Sequence, residues 1–214
     1  MSTIPASAVN PSAGSYPVTS DPRELEAARR AGNASVAEFP YYLERYGERG
    51  RMFGASDGAW LVTLCELGAE HARGQVLWLG SVLASRGMPR WLLERHLHVL
   101  HAELVRALPE HAERYAPLLE AAAHLGELRR ARIADEDFRE LSQGFVARAD
   151  PAVAERLPSM GAILAAAVAD EADGVAGVVR SVEAWAADRS AFPEAWTSAV
   201  RATLAEARGR VRAG

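Results

Sequence analysis

A leucine stripe at helical spacing in the middle of the chain limits what this sequence can fold into. The stripe consists of Leu93, Leu97, Leu100, Leu104 and Leu108. Steps of three and four residues place all five side chains on one face of an α-helix, and they do not fit the two-residue period of a strand. Gly87 and Pro89 precede the stripe and mark the end of one helix and the start of the next.

The rest of the chain repeats this pattern in shorter segments. Helix candidates cover residues 23–30, 36–46, 59–67, 70–85, 109–130, 135–149, 158–170, 174–188 and 193–210. No segment alternates apolar and polar residues with the β-branched enrichment of a strand, so we predict no sheet. The predicted fold is an all-α helical bundle.

The first 22 residues have a different composition. They are rich in Ser, Pro, Ala, Thr and Val and lack the basic start and apolar run of a secretory signal. We expect a disordered tail over residues 1–22, followed by a single all-helical domain over residues 23–214. No apolar run approaches the roughly 18–20 residues of a membrane span, so the sequence predicts a cytoplasmic protein that does not bind membranes.

Two parts of the chain resemble each other and predict an internal repeat. Gly58-Ala59-Trp60-Leu61 aligns with Gly161-Ala162-Ile163-Leu164, and a proline follows each copy at a similar distance. We predict pseudo-repeats over about residues 36–109 and 135–210, joined by a helix over about residues 110–130. The alternative is that alanine-rich amphipathic helices align by chance.

Three absences exclude whole classes of chemistry. All 24 basic residues are arginine, which rules out lysine-based catalysis and the lysine of a P-loop. The single cysteine, Cys65, forms no internal disulfide and no cysteine-rich metal site, and its apolar helical setting predicts a buried, inert thiol. The formal charge of −4 is atypical of a nucleic-acid-binding protein. Usage rich in arginine and alanine is typical of a bacterial genome with a high GC content.

All six histidines lie between His71 and His124, which makes this region the candidate for a metal site. Glu94, His98 and His101 share one face of the predicted leucine-stripe helix, and these side chains suit a divalent transition metal. The motifs of di-iron bundles and of zinc proteases are missing. A solvated polar helix face is the alternative interpretation.

His96 flanks the leucine stripe and has two interpretations. It could be the axial ligand of a haem in an apolar pocket. The alternative is a half-buried histidine that is hydrogen-bonded to a neighbouring side chain.

A second candidate site combines aromatic and arginine residues with a glycine-punctuated segment, which we interpret as a loop. Its members are Tyr42, Tyr46, Arg49, Arg51, Asp57 and His96. Arginines near a helix start hold phosphate or carboxylate groups, and clustered tyrosines cover ligands or partner surfaces. The alternatives are core packing of the tyrosines and ion pairs between the arginines and Glu44, Glu48 and Asp57.

These observations favour a non-enzymatic protein that binds a partner protein or a small ligand, in a regulatory or accessory role. We assign no catalytic residue. The alternative is a helical haem or metal protein, either a sensor or an oxidoreductase, that uses the histidines of the first repeat. A homodimer is compatible with the small residues at 165–167, which allow helices to approach closely.

Overall fold

The computed structural model describes residues 2–212, which form ten α-helices and one two-stranded sheet. The helices are α1 Pro22–Glu38, α2 Tyr41–Leu64, α3 Ala69–Ser85, α4 Arg90–Ala107, α5 Ala116–Arg132, α6 Asp135–Arg148, α7 Pro151–Arg156, α8 Met160–Ala172, α9 Val178–Ala186 and α10 Glu194–Gly209. The strands are β1 Thr3–Pro5 and β2 Pro17–Thr19, and short 3₁₀ helices cover Ala6–Ala8, Cys65–Leu67 and Pro109–Tyr115. The all-α prediction is confirmed. Within the described residues, no helix has the length and hydropathy that crossing a bilayer requires.

Residues 2–20 are ordered, so the disordered tail that was predicted over residues 1–22 is wrong for the described part of that range. Strands β1 and β2 pair antiparallel with Thr3 opposite Thr19, which is also the small exception to the prediction of no sheet. Ala6, Asn10 and Val18 are fully buried. The segment is held by a few single contacts and not by one apolar face of a helix or strand. Its sequence therefore has no period that could indicate order.

The described chain divides into two compact units, each assembled from separate stretches of sequence. Unit 1 contains residues 2–78 and Glu94–His124, and unit 2 contains Leu79–Leu93 and residues 125–212. Helices α3, α4 and α5 each contribute residues to both units.

Small residues set the packing of unit 1. Helices α1 and α2 approach so closely that a Cβ on Gly32 would lie 3.6 Å from the backbone nitrogen of Ala55, and one on Gly58 would lie 3.5 Å from the Cβ of Ala28. The unit 1 part of α4 runs antiparallel to α1. Two ion pairs show this direction, since Arg30 pairs with Glu103 at 2.6 Å and the later residue Glu38 pairs with the earlier residue Arg95 at 2.8 Å.

The core of unit 2 surrounds helix α8. Every residue from Met160 to Asp170 is buried, and helices α6, α9 and α10 pack against α8. Phe145 and Trp196 meet edge to face at 4.9 Å between ring centroids. The small side chains of α8 allow three helices to surround it closely.

The structure does not show the two predicted pseudo-repeats. Gly58 lies deep inside α2, whereas Gly161 lies in the first turn of α8. The two copies shared glycine and proline punctuation, but tertiary packing uses that punctuation differently in each half.

Candidate functional site

The glycine-punctuated segment that sequence reasoning interpreted as a loop is helical and belongs to α2, with a bend at Gly47. Gly47 has φ +60° and ψ −160°, a backbone conformation that is accessible almost only to glycine. Gly50 permits the two parts of α2 to fold together, since a Cβ there would lie 2.6 Å from the Cβ of Tyr46. The bend therefore places the side chains before and after Gly47 close to one another.

An arginine and two tyrosines pack against one another at this bend. The rings of Tyr41 and Tyr46 meet edge to face with centroids 6.0 Å apart. The Arg45 guanidinium lies 5.7 Å and 5.2 Å from the ring centroids of Tyr41 and Tyr46, and it donates a hydrogen bond to the Tyr41 hydroxyl. Burial raises the pKa of both tyrosines and of Tyr42, so all three hydroxyls stay protonated at neutral pH.

The outer side of the bend presents apolar and arginine side chains to solvent. Leu43 is 41% exposed and Met52 is 40% exposed. Arg49 is exposed, and its guanidinium lies 5.7 Å from the ring centroid of Phe53. Arg51 pairs with Glu48 at 2.8 Å, as the ion-pair alternative predicts. We call the side chains of Leu43, Tyr46, Arg49 and Met52 the bend surface.

Asp57, which the sequence analysis placed in the second candidate site, is partly buried farther along α2. The Tyr16 hydroxyl donates a hydrogen bond to its Oδ1 at 3.1 Å, and burial raises the pKa of that tyrosine. The neighbouring Ser56 is fully buried beneath Asn10. Asp57 thus anchors the N-terminal segment in this structure.

His96 is buried inside unit 1, so its predicted place on the surface is wrong. Its Nδ1 lies 2.8 Å from the Ser35 hydroxyl, and its Nε2 lies 3.5 Å from the position of a Cβ built on Gly58. Burial lowers the pKa of this imidazole to about 4. The environment matches the hydrogen-bonded alternative, and two packed helices at the ring nitrogens do not suit a haem iron.

The three predicted metal ligands do not form a metal centre in this structure. His98 is exposed, whereas Glu94 and His101 are partly exposed. Partial burial lowers the pKa of both histidines, as do the nearby charges of Arg95 on His98 and of His98 on His101. Across residues 2–212, no three His, Cys, Asp or Glu side chains are arranged to hold a metal ion. The geometry therefore gives the metal interpretation no support.

Cys65 is buried, as the sequence predicts. It is 8% exposed, and burial raises the pKa of its thiol to about 12. A thiol with this pKa is protonated at neutral pH and is a poor nucleophile.

Sequence reasoning missed four exposed apolar residues of unit 1. They are Leu43, Met52, Leu67 and Trp78. Trp78 is 59% exposed and meets Trp60 edge to face at 6.3 Å. Met52 offered one signal, because it is a large apolar residue within a segment otherwise rich in glycine and charge. No sequence signal indicated that Trp78 is exposed, because a tryptophan near apolar residues of a helix usually predicts a buried position.

Unit 2 contains a shallow depression of about 310 Å³ between the ends of α8, α9 and α10. Val179 and Ala184 supply its apolar lining, and Glu171, Glu183, Arg180 and Arg208 supply charges of both signs. All four charged side chains lie at the surface, where ion pairs contribute little free energy. The depression therefore provides a weak basis for small-molecule binding.

Comparison of the chain with family models, with curated proteins and with solved structures finds no match.

Proposed function

We propose that this protein is a non-enzymatic, cytoplasmic binding protein that recognises a partner protein through the bend surface of α2. The observation that carries the proposal is the exposure of Leu43 and Met52 beside Arg49 at a bend that Gly47 creates. Tyrosine, methionine and arginine are enriched at protein interfaces, and a few such anchors supply most of the binding energy.

The chemistry of the bend surface favours a protein over a small ligand. Its apolar side chains lie on the outside of a helix, whereas small-molecule sites are concave and enclose most of the ligand. Arg45 is engaged by two tyrosine rings, and Arg51 is paired with Glu48. The remaining cation, Arg49, is held over Phe53 and is available to a carboxylate of the partner.

Site-specific photo-crosslinking in the native cells tests this proposal. A photoreactive phenylalanine analogue replaces Leu43 or Met52, and Val146 in unit 2, which is 48% exposed, provides the matched control position. We expect one adduct of defined mass from positions 43 and 52 and none from position 146. An adduct of twice the chain mass identifies the partner as a second copy.

Charge reversal at Arg49 provides the second arm of this test. The substitution Arg49→Glu should reduce the adduct yield from position 52 at least about tenfold, because it removes the guanidinium that faces the partner and places like charges in contact. Equal yields from positions 43, 52 and 146, or a yield unaffected by Arg49→Glu, contradict the proposal.

A further inference from the structure

We propose that the N-terminal strap, residues 2–20, opens and closes as one body over α1 and α2 while unit 1 beneath it stays folded. The inference concerns the segment that leads into α1, and it does not depend on the proposed function.

The strap makes its own backbone hydrogen bonds. Strands β1 and β2 pair from Thr3 opposite Thr19 to Pro5 opposite Pro17. Beyond them, the amide of Ala6 donates to the carbonyl oxygen of Tyr16 at 2.9 Å, and the amide of Ser7 donates to that of Gly14 at 3.1 Å. These bonds lie within the strap, so leaving the surface does not itself break them. A detached two-stranded ribbon is only marginally stable in water, so its amides exchange once the strap has opened.

Three polar side chains of the strap attach it to the helices. Asn10 donates from Nδ2 to the Ser56 hydroxyl at 3.5 Å, and the Tyr16 hydroxyl donates to Asp57. The third contact is a short hydrogen bond from Thr19 Oγ1 to Oε2 of Glu24. Since residues 2–20 include no charged side chain, no side-chain ion pair contributes to the attachment.

When the strap opens, Ser56 and the Glu24 carboxylate each keep a second partner, and Asp57 and Oε2 of Glu24 meet solvent. The Ser56 hydroxyl also donates to the carbonyl oxygen of Phe53 at 3.0 Å. Oε1 of Glu24 accepts from the Tyr115 hydroxyl at 2.8 Å and pairs with Arg114 at 3.2 Å. Asp57 is already partly exposed to solvent. Opening therefore leaves no polar group of unit 1 both buried and without a partner. The main free-energy penalty for breaking such contacts is thus absent.

The apolar contribution of the strap is also small. Ala6 and Val18 are its fully buried apolar residues, whereas Ile4 and Val9 are only partly buried. The part of α2 that continues below the strap buries Leu61, Val62 and Leu64. Segments with few buried apolar contacts open at lower free energy than the core. The consequence is a gate: opening exposes Ser56, Asp57 and Oε2 of Glu24, and closing covers them.

Native-state hydrogen exchange on the full chain, resolved by amide, tests the gate. We expect the amides of Ala6 and Ser7 to exchange at least about 100-fold faster than those of residues 61–64, with little dependence on low concentrations of urea. Equal protection and equal urea dependence in the two sets show that the strap opens only when unit 1 unfolds, and they overturn the proposal.

A variant of one attachment separates the two outcomes further. Tyr16→Phe removes the hydrogen bond to Asp57, and it should speed exchange at Ala6 and Ser7 about fivefold while exchange at residues 61–64 stays unchanged. Ser15→Ala, an exposed change in the same strap, should alter neither set. If Tyr16→Phe speeds exchange equally in both sets, the strap is an integral part of the unit 1 core and the proposal fails.

Discussion

At the scale of single residues, the buried polar side chains show how unit 1 is specified, because each must find a partner away from water. Glu24 is fully buried and accepts hydrogen bonds from Thr19 and Tyr115. His96 meets the same requirement with one neutral hydrogen bond to Ser35. Burial lowers the pKa of the His96 imidazole, which makes this residue sensitive to acid.

His96 should make the protein less stable in mild acid. Its pKa is about 4 in the folded chain and 6.5 ordinarily, so between these values the unfolded state binds more protons. The free energy of unfolding therefore falls as the pH drops from 6.5 to 4, by about 3 kcal/mol from this residue when the shift is converted at 1.36 kcal/mol per pKa unit. Urea unfolding at several pH values measures the slope.

The slope should be specific to His96. His96→Gln removes the titrating group and should flatten the dependence between pH 6.5 and 4, whatever its effect on stability at neutral pH. His111→Gln, at an exposed position in the segment Pro109–Tyr115, should leave the slope in place. If wild type and His96→Gln have the same slope, the buried imidazole is not the source.

At the scale of secondary-structure elements, a buried ion-pair network joins α4 to α8 within unit 2. Arg90 donates to Asp170 from its backbone nitrogen at 2.7 Å and from Nε at 2.8 Å. Its Nη2 reaches Asp173 at 2.8 Å, and Arg132 contacts the same carboxylate at 3.3 Å. The Asp170 carboxylate thus caps the first turn of α4 and neutralises the buried Arg90 guanidinium. These contacts specify the position of α4 against α8.

Removing that carboxylate should destabilise unit 2 strongly. Asp170→Ala leaves Arg90 buried with only the bond to Asp173 of the three described, and it should lower the free energy of unfolding by about 3–5 kcal/mol. Glu194→Ala, which breaks the exposed pair with Arg189, should change it by less than about 1 kcal/mol. Chemical denaturation of both variants provides the comparison.

A double substitution then separates burial of charge from packing. Arg90→Met with Asp170→Leu removes both charges and should recover much of the stability lost in Asp170→Ala. If Asp170→Ala is as mild as Glu194→Ala, the network contributes no more than a surface pair does.

At the scale of the whole molecule, each compact unit draws on two separated stretches of the chain. Unit 2 needs residues 79–93 in addition to residues 125–212, because Arg90 is the partner of Asp170 and Trp91 packs edge to face on Phe138 at 5.4 Å. A second repeat that folded by itself over residues 135–210 would not need the earlier stretch. The two descriptions predict different behaviour of fragments.

A fragment of residues 125–214 should not fold cooperatively. It lacks the stretch that supplies Arg90 and leaves Asp170 buried without its counter-charge, so we expect low near-ultraviolet circular dichroism and rapid proteolysis. A control fragment that carries residues 79–93 through a flexible linker should regain a cooperative urea transition. Cooperative unfolding of the shorter fragment would contradict the discontinuous unit.

The sequence could not predict which residues of the candidate site are exposed and which are buried. Tyr42, Tyr46, Arg49 and Arg51 flank Gly47 in α2, since they are its neighbours in sequence. His96 and Asp57 were grouped with them as a hypothesis, and packing buries the first and ties the second to Tyr16. The exposure of Leu43 and Met52 could not be predicted, because exposure depends on what the other helices leave uncovered.

The sequence by itself determined the all-α class and the buried face of the leucine-stripe helix. The stripe is buried as predicted, with Leu97, Leu100, Leu104 and Leu108 all inaccessible to solvent. The prediction succeeds because the helical period is a local property that can be read directly from the spacing of apolar residues. Only the tertiary structure decided that residues 2–20 are ordered, that α2 continues through its glycines, and that the chain divides into two discontinuous units. Those outcomes depend on contacts between residues far apart in sequence, such as Tyr16 with Asp57 and Arg90 with Asp170, which leave no periodic trace along the chain.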